Sequence, residues 1–299
     1  MFSNQAMQKL IFILPAVTLI GIFVIYPTIA TIVMSFCSFE GGEISSFVGV
    51  ENYNELFGDR RFLNVENLWE LRQPWGALIN TITWMIIFVP VTLLLGLILS
   101  VLVRDLRFNS IIKAMIFLGM VVPMVVGGII ILFMFDEHAG IVNGIIKSIG
   151  IEPVAWLRDP DYAIFALILG SIWIWTGFSM IIYSAGLELI PGDLYDAAAV
   201  DGASRWATFR HITVPMLKPS TLIVTVMSLI WVLRTFDIVY VAAGKTGSPG
   251  GATNILPLKI YYDAFLRMPP ETGLAAANAT MLTVISTVIT IVLIRRLLK

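Results

Sequence analysis

An all-α membrane protein with six spanning helices is the fold class this sequence predicts, and three observations carry the prediction. The chain of 299 residues is 58% hydrophobic and only 13% charged, and its mean hydropathy of +0.89 lies far from that of water-soluble domains. Five charge-free apolar runs each reach the roughly 20 residues that a helix needs to cross a bilayer. A sixth is interrupted only by Arg234 and Asp237.

In chain order the spans are expected at about 10–36, 76–103, 113–135, 162–187, 219–243 and 273–294, all within a single domain covering 1–299. The first run is too long for a signal-peptide core, so it reads as an uncleaved span. Six crossings put both termini on one side. With the termini inside, the inner face holds ten Lys and Arg, among them Arg104, Arg107, Arg205, Arg210, Arg295, Arg296 and Lys299, against eight outside. That bias favours cytoplasmic termini. The outer loops then carry turn residues such as Glu40-Gly41-Gly42 and Thr246 to Gly251, and residues 188–218 form the longest inner loop.

Several function classes are poorly supported. A net charge of −1 with no basic tail or stripe gives nucleic acid nothing to bind. The single cysteine, Cys37, makes neither a disulfide framework nor a metal site, and His138 and His211 fall on opposite sides of the membrane in this arrangement. No metal is expected. Gly244-Lys245-Thr246 imitates the end of a phosphate-binding loop, but Val239 stands where that loop requires glycine. No cofactor is therefore expected on this chain.

The inner loop is the most informative passage. It reads LYDAAAVDGASRWATFRHITVPMLKP from Leu194 to Pro219. Pro191 suits a first helical turn, and Asp193 and Asp196 suit the positive end of the helix dipole. Leu194, Ala197, Ala198 and Asp201 share a face, until Asp201-Gly202 ends the helix and leaves Asp201 to cap the next. That second helix aligns Trp206 with Phe209 and is expected to stop at Val214-Pro215. Two short helices meeting at a glycine elbow, with small alanines and an outward acid, have the chemistry of a docking surface.

This passage resembles the EAA loop of permease subunits of ATP-binding-cassette importers, nearest to the maltose-type sugar permeases. The family pattern of an acid, two alanines, a glycine and a later Ile-x-x-Pro is met by Asp196, Ala197, Ala198, Gly202, Ile212 and Pro215, with Asp in place of Glu. The stretches FVGVENYNELFGD, GIVNGIIKSIG and GGATNILPLKIYYDAF are similar to sugar-permease text at matching places. The resemblance implies a type I importer permease fold in a prokaryotic cell membrane. It also implies a second permease subunit, two cytosolic ATPase subunits that carry ATP and Mg²⁺, and an extracellular solute-binding protein. The loop would be the coupling helix, with Asp196 pairing to a basic residue of the ATPase and Ala197, Ala198, Asp201, Gly202, Trp206 and Phe209 shaping the contact.

A sugar path needs hydrogen-bonding side chains and aromatic faces near the membrane middle. The fourth span offers Trp175 and Phe178, and the fifth offers Ser228, Trp231, Val232, Thr235 and Asp237. Arg234 and Asp237 lie three apart on one expected helix, where they can form an intramembrane pair, the alternative being contact with sugar hydroxyls. Rival readings are an importer of a non-sugar solute, a self-sufficient secondary transporter, and a membrane enzyme; the last lacks a catalytic cluster.

Overall fold

The computed structural model describes residues 2–297, so Lys299, counted above with the inner cations, lies outside them. By contact the chain divides into two compact units. One takes the residues up to Asp59 together with Ile260–Val284, and the other takes Arg60–Lys259 and the residues from Ile285 onward.

In the first unit helix α1 runs through Phe2–Ile20, a π-helical turn at Gly21–Ile25, and Tyr26–Met34. The π-turn lets the helix carry on across Pro27: Tyr26 N–H bonds back to the Gly21 carbonyl, and Pro27 opens the next stretch, where no N–H is needed. None of the apolar window at Phe12–Met34 is buried within the chain. A two-stranded antiparallel hairpin follows, β1 Cys37–Glu40 and β2 Glu43–Phe47, a small sheet within the mostly helical fold that the sequence predicts. Gly41 and Gly42, both at positive φ, make its turn. Helix α2, Glu51–Gly58, is tied to the hairpin by the Asn52 amide, which donates to the carbonyls of Ser35 and Cys37 at 2.9 Å each. Cys37 is buried there as a small apolar side chain.

The second unit contains α3 Val65–Trp69, α4 Ala77–Arg104, α5 Asn109–Val121, α6 Met124–Met134, α7 Ile141–Ser148, α8 Pro160–Glu188, α9 Gly192–Val200, α10 Arg205–Met216, α11 Lys218–Arg234 and α12 Asp237–Ala243. Helix α13, Leu256–Tyr261, and helix α14, Thr272–Leu297, complete the chain. The most buried of the long helices is α8, with 72% of its apolar window inside the fold. It achieves this through small residues. A Cβ on Gly96 of α4 would stand 2.1 Å from the Ser179 hydroxyl of α8, and one on Gly177 of α8 would stand 2.6 Å from the Ile116 carbonyl of α5. Backbones that close are the usual means of joining helices in lipid, where apolar burial alone gives little.

Among the described residues, four helices are long and apolar enough to cross a membrane, or six if each of two bent pairs is one span. The expected span 113–135 is one of these bent pairs: α5 and α6 meet at 100°. Pro123 is the cause, because it lacks an N–H and drives Val122 into an extended conformation with ψ 129°. The expected span 219–243 also breaks, between Arg234 and Asp237.

The loops of the second unit are pinned by two asparagines. Asn80 on α4 donates to the carbonyls of Ala252 and Asn254 at 2.9 and 2.8 Å. Asn143 on α7 donates to Glu137 and Val154 carbonyls and accepts from Val154 N–H and the Trp156 indole.

Candidate functional site: a cavity at a helix break and an exposed elbow

The break in the fifth hydrophobic segment opens a cavity of about 280 Å³. Thr235 leaves the helix with ψ 120° and Phe236 continues at φ −137° before α12 begins. Local bonds make this tolerable: Thr235 N–H donates to the Val232 carbonyl at 3.2 Å and its hydroxyl to the Trp231 carbonyl at 2.9 Å, while Tyr240 N–H reaches the Phe236 carbonyl. Arg234 is therefore the last residue of one helix and Asp237 the first of another. Each charge lies at the helix end it complements.

This corrects the expected ion pair. Two residues outside the helix separate Arg234 from Asp237, so the i,i+3 geometry that would join them is lost, and no ion pair connects them among the described residues. Both side chains are exposed within the chain and line the cavity.

Of the other expected path residues, Trp175, Trp231 and Thr235 line the cavity. Phe178, Ser228 and Val232 stand behind it. Ser228 is fully buried and accepts the Trp175 indole N–H at 2.9 Å, Phe178 packs on Trp175 with ring centroids 4.9 Å apart, and Val232 is core. The rings form a continuous row: Phe88 stacks on Trp231 at 4.8 Å and 10°, and Trp231 meets Trp175 at 5.2 Å. Sequence reasoning missed Met124, Met227, Ile230, Phe236 and Ile238, which also line the space. Met124 arrives from α6 because of the bend at Pro123. Helix α6 also lies against α12 at Gly128, where a Cβ would come within 3.2 Å of the Ile238 carbonyl. Aromatic faces, one cation, one anion and a hydroxyl can hold a polyhydroxylated molecule by stacking and hydrogen bonds.

The elbow sits between α9 and α10. Gly202, at φ +71° with open space around it, ends α9 in a Schellman arrangement: Ala203 N–H bonds to the Ala198 carbonyl at 2.9 Å and Gly202 N–H to the Ala199 carbonyl at 3.1 Å. Three details differ from expectation. Pro191 precedes the helix rather than entering it. The cap of α10 is Ser204, whose hydroxyl accepts Ala207 N–H at 3.2 Å, and not Asp201. Helix α10 also passes Pro215, because a π-turn at Phe209–Thr213 shifts the hydrogen-bond register so that the proline needs no N–H.

Asp196, Ala197, Asp201, Gly202 and Trp206 are exposed on this elbow, Phe209 is half-buried, and Ala198 is turned into the fold. Asp196 enters no ion pair among the described residues. Trp206, 66% exposed, lies over Phe209 with centroids 5.6 Å apart.

Comparison with known proteins gives the following. Residues 70–298 match the family described as binding-protein-dependent transport system inner membrane component. A probable ABC transporter permease protein of Pyrococcus horikoshii is 47% identical over 289 residues, covering 95% of this chain and 96% of that one. The lactose transport system permease protein of Rhizobium radiobacter is 36% identical, with 87% and 84% covered. A crystal structure of a bacterial ABC transporter involved in the import of the acidic polysaccharide alginate contains a chain that superimposes with a TM-score of 0.75, covering 98% of this chain and 96% of its own at 21% identity, a likeness of fold.

Proposed function

The chain belongs to the family of binding-protein-dependent transport system inner membrane components, and from that premise we propose that it is one permease subunit of a sugar importer, with sugar crossing at the helix-break cavity and ATP-driven motion entering through the elbow. The family is one of transport permeases, so the chain itself carries no covalent chemistry. The observation that most supports the reading is the presence of both parts in one chain: a cavity with two tryptophans in contact and two charges outside any ion pair among the described residues, and an exposed elbow with a bare carboxylate at Asp196. Relatives named for lactose, and for trehalose and maltose, support sugar as the solute class.

In this reading the termini and the elbow face the cytoplasm. Asp196 pairs with a basic residue of a separate ATPase, which binds ATP and Mg²⁺, and the flat alanine face lets that protein approach closely. A second permease completes the path, and an extracellular binding protein delivers the sugar. When the ATPases close, the elbow moves as a lever on α8 and α11, which flank it in sequence and carry Trp175 and Trp231.

The test is uptake of a labelled sugar panel into proteoliposomes holding the full assembly and its binding protein, with wild type beside Asp196→Arg. We expect ATP-dependent uptake, and its loss together with loss of ATPase co-purification in the variant. Uptake that persists without ATP would replace this reading with a secondary transporter.

A further inference from the structure

A second cavity, of about 350 Å³, lies between the C-terminal end of α4 and the elbow. Its wall has an apolar part, formed by Val101, Leu187 and Phe209, and a cationic part, formed by Arg104 and Arg205. Asp105 is the one acid that lines it, so the two guanidiniums outnumber it. Neither arginine makes an ion pair among the described residues. Arg104 is nonetheless held in place: its guanidinium carbon sits 5.4 Å from the centroid of the Tyr195 ring, and the Tyr195 hydroxyl is fixed to the Thr213 hydroxyl at 3.2 Å. Cation–π contact uses the flat face of a guanidinium and leaves its N–H edge free to donate.

We infer that this cavity binds a phosphate group. Two guanidiniums offering planar donor edges match phosphate oxygens better than any neutral ligand, and a single acid leaves room for one negative charge. The apolar wall suits the glycerol and first methylenes of a phospholipid, and Arg104 is the last residue of a 28-residue spanning-length helix, where a headgroup lies. A soluble phosphate compound offers the same chemistry. In either case the ligand joins α4, through Arg104, to the first residue of α10, Arg205, and so braces the elbow. Headgroup access rests on the cytoplasmic orientation proposed above.

The experiment uses the complete assembly in vesicles of phosphatidylcholine with a photoactivatable phosphatidylglycerol, followed by peptide mapping of the label. We expect label on residues 101–105 and 195–213 of the wild type. The variant Arg104→Gln with Arg205→Gln should lower it about 30-fold, as two lost arginine contacts at the membrane surface imply, and Arg104→Lys with Arg205→Lys should fall between. If millimolar inorganic phosphate suppresses the label, a soluble phosphate compound is the natural occupant; if it does not, the lipid is. Label that is equally strong in the glutamine variant, or that lies elsewhere in the chain, overturns the site. So does absence of label in a wild type that also binds no inorganic phosphate in equilibrium dialysis. Should the glutamine variant fail to assemble, the wild-type map decides. Uptake without ATP would sink the importer reading and leave this result standing.

Discussion

The elbow at 201–204 and the break at 235–236 both interrupt helices and both satisfy their backbone locally, yet only the second is also held by packing. At the elbow the hydrogen bonds are local, Gly202 is surrounded by open space, and most residues are exposed. At the break there is neither glycine nor proline. Thr235 is 6% exposed, Ile238 and Val239 are buried, and Trp231 is clamped between Phe88 and Trp175. An outside force can therefore turn the elbow while its own bonds stay intact, whereas the break cannot shift without disturbing the aromatic row. On the proposed reading, the joint that yields to a partner rests on local bonds alone, and the one that shapes the cavity adds packing to its local bonds.

Substitutions can test that difference. The largest effect is expected for Trp231→Ala, which removes the middle of the row: about 3 kcal/mol of stability should be lost, read as a lowered thermal midpoint in detergent, together with uptake. A fully retained midpoint would mean that packing does not hold the break. Ser228→Ala is expected to be milder, about 1–3 kcal/mol, because the Trp175 indole N–H is left buried without its acceptor; Ser228→Thr, which keeps a hydroxyl, should recover part of the loss.

At the elbow, Gly202→Ala meets no steric obstacle, so its cost is the backbone strain of a positive φ alone, about 1–2 kcal/mol. It should appear as faster amide exchange within 192–203 and nowhere in α8 or α11. Exchange spreading into those helices would show that the elbow is not local. The smallest effect lies at another exposed turn. Asp136 accepts the backbone N–H groups of Ala139 and His138, which hold its carboxyl below the ordinary 3.8. A depressed acid stabilises the fold above its unfolded value and loses that contribution as pH falls through the lowered one. The protection factors of the His138 and Ala139 amides, that is, their exchange corrected for its intrinsic pH dependence, should therefore stay flat above pH 3.8 and fall only in stronger acid; Asp136→Asn should remove the dependence.

What could be read from the sequence follows the same division. The elbow was legible because its stop signal is local: Asp201-Gly202 ends a helix wherever it stands, and Trp206 and Phe209 are spaced to meet. The long apolar runs also located α4, α8 and α14. The break was not legible, because Thr235 and Phe236 carry no breaker and the bend exists only in the company of α6 and α8. Met124 was missed for the same reason. Pro123 was a visible signal of the bend in the third segment, outweighed in the reading by hydropathy that runs through it unbroken. Pro215 misled in the other direction, since a π-turn absorbs a proline that local rules treat as a stop.

The row Phe88, Trp231, Trp175, Phe178 has an optical consequence. Two indoles with centroids 5.2 Å apart and planes inclined by 37° couple their electronic transitions, and both border the cavity, with the Trp175 indole anchored to Ser228. Whatever enters the cavity changes the surroundings of a coupled pair whose geometry is held by that anchor and by Phe88. The protein thus carries a label-free reporter of occupancy, as a change in near-ultraviolet circular dichroism and tryptophan emission that Trp231→Phe would remove.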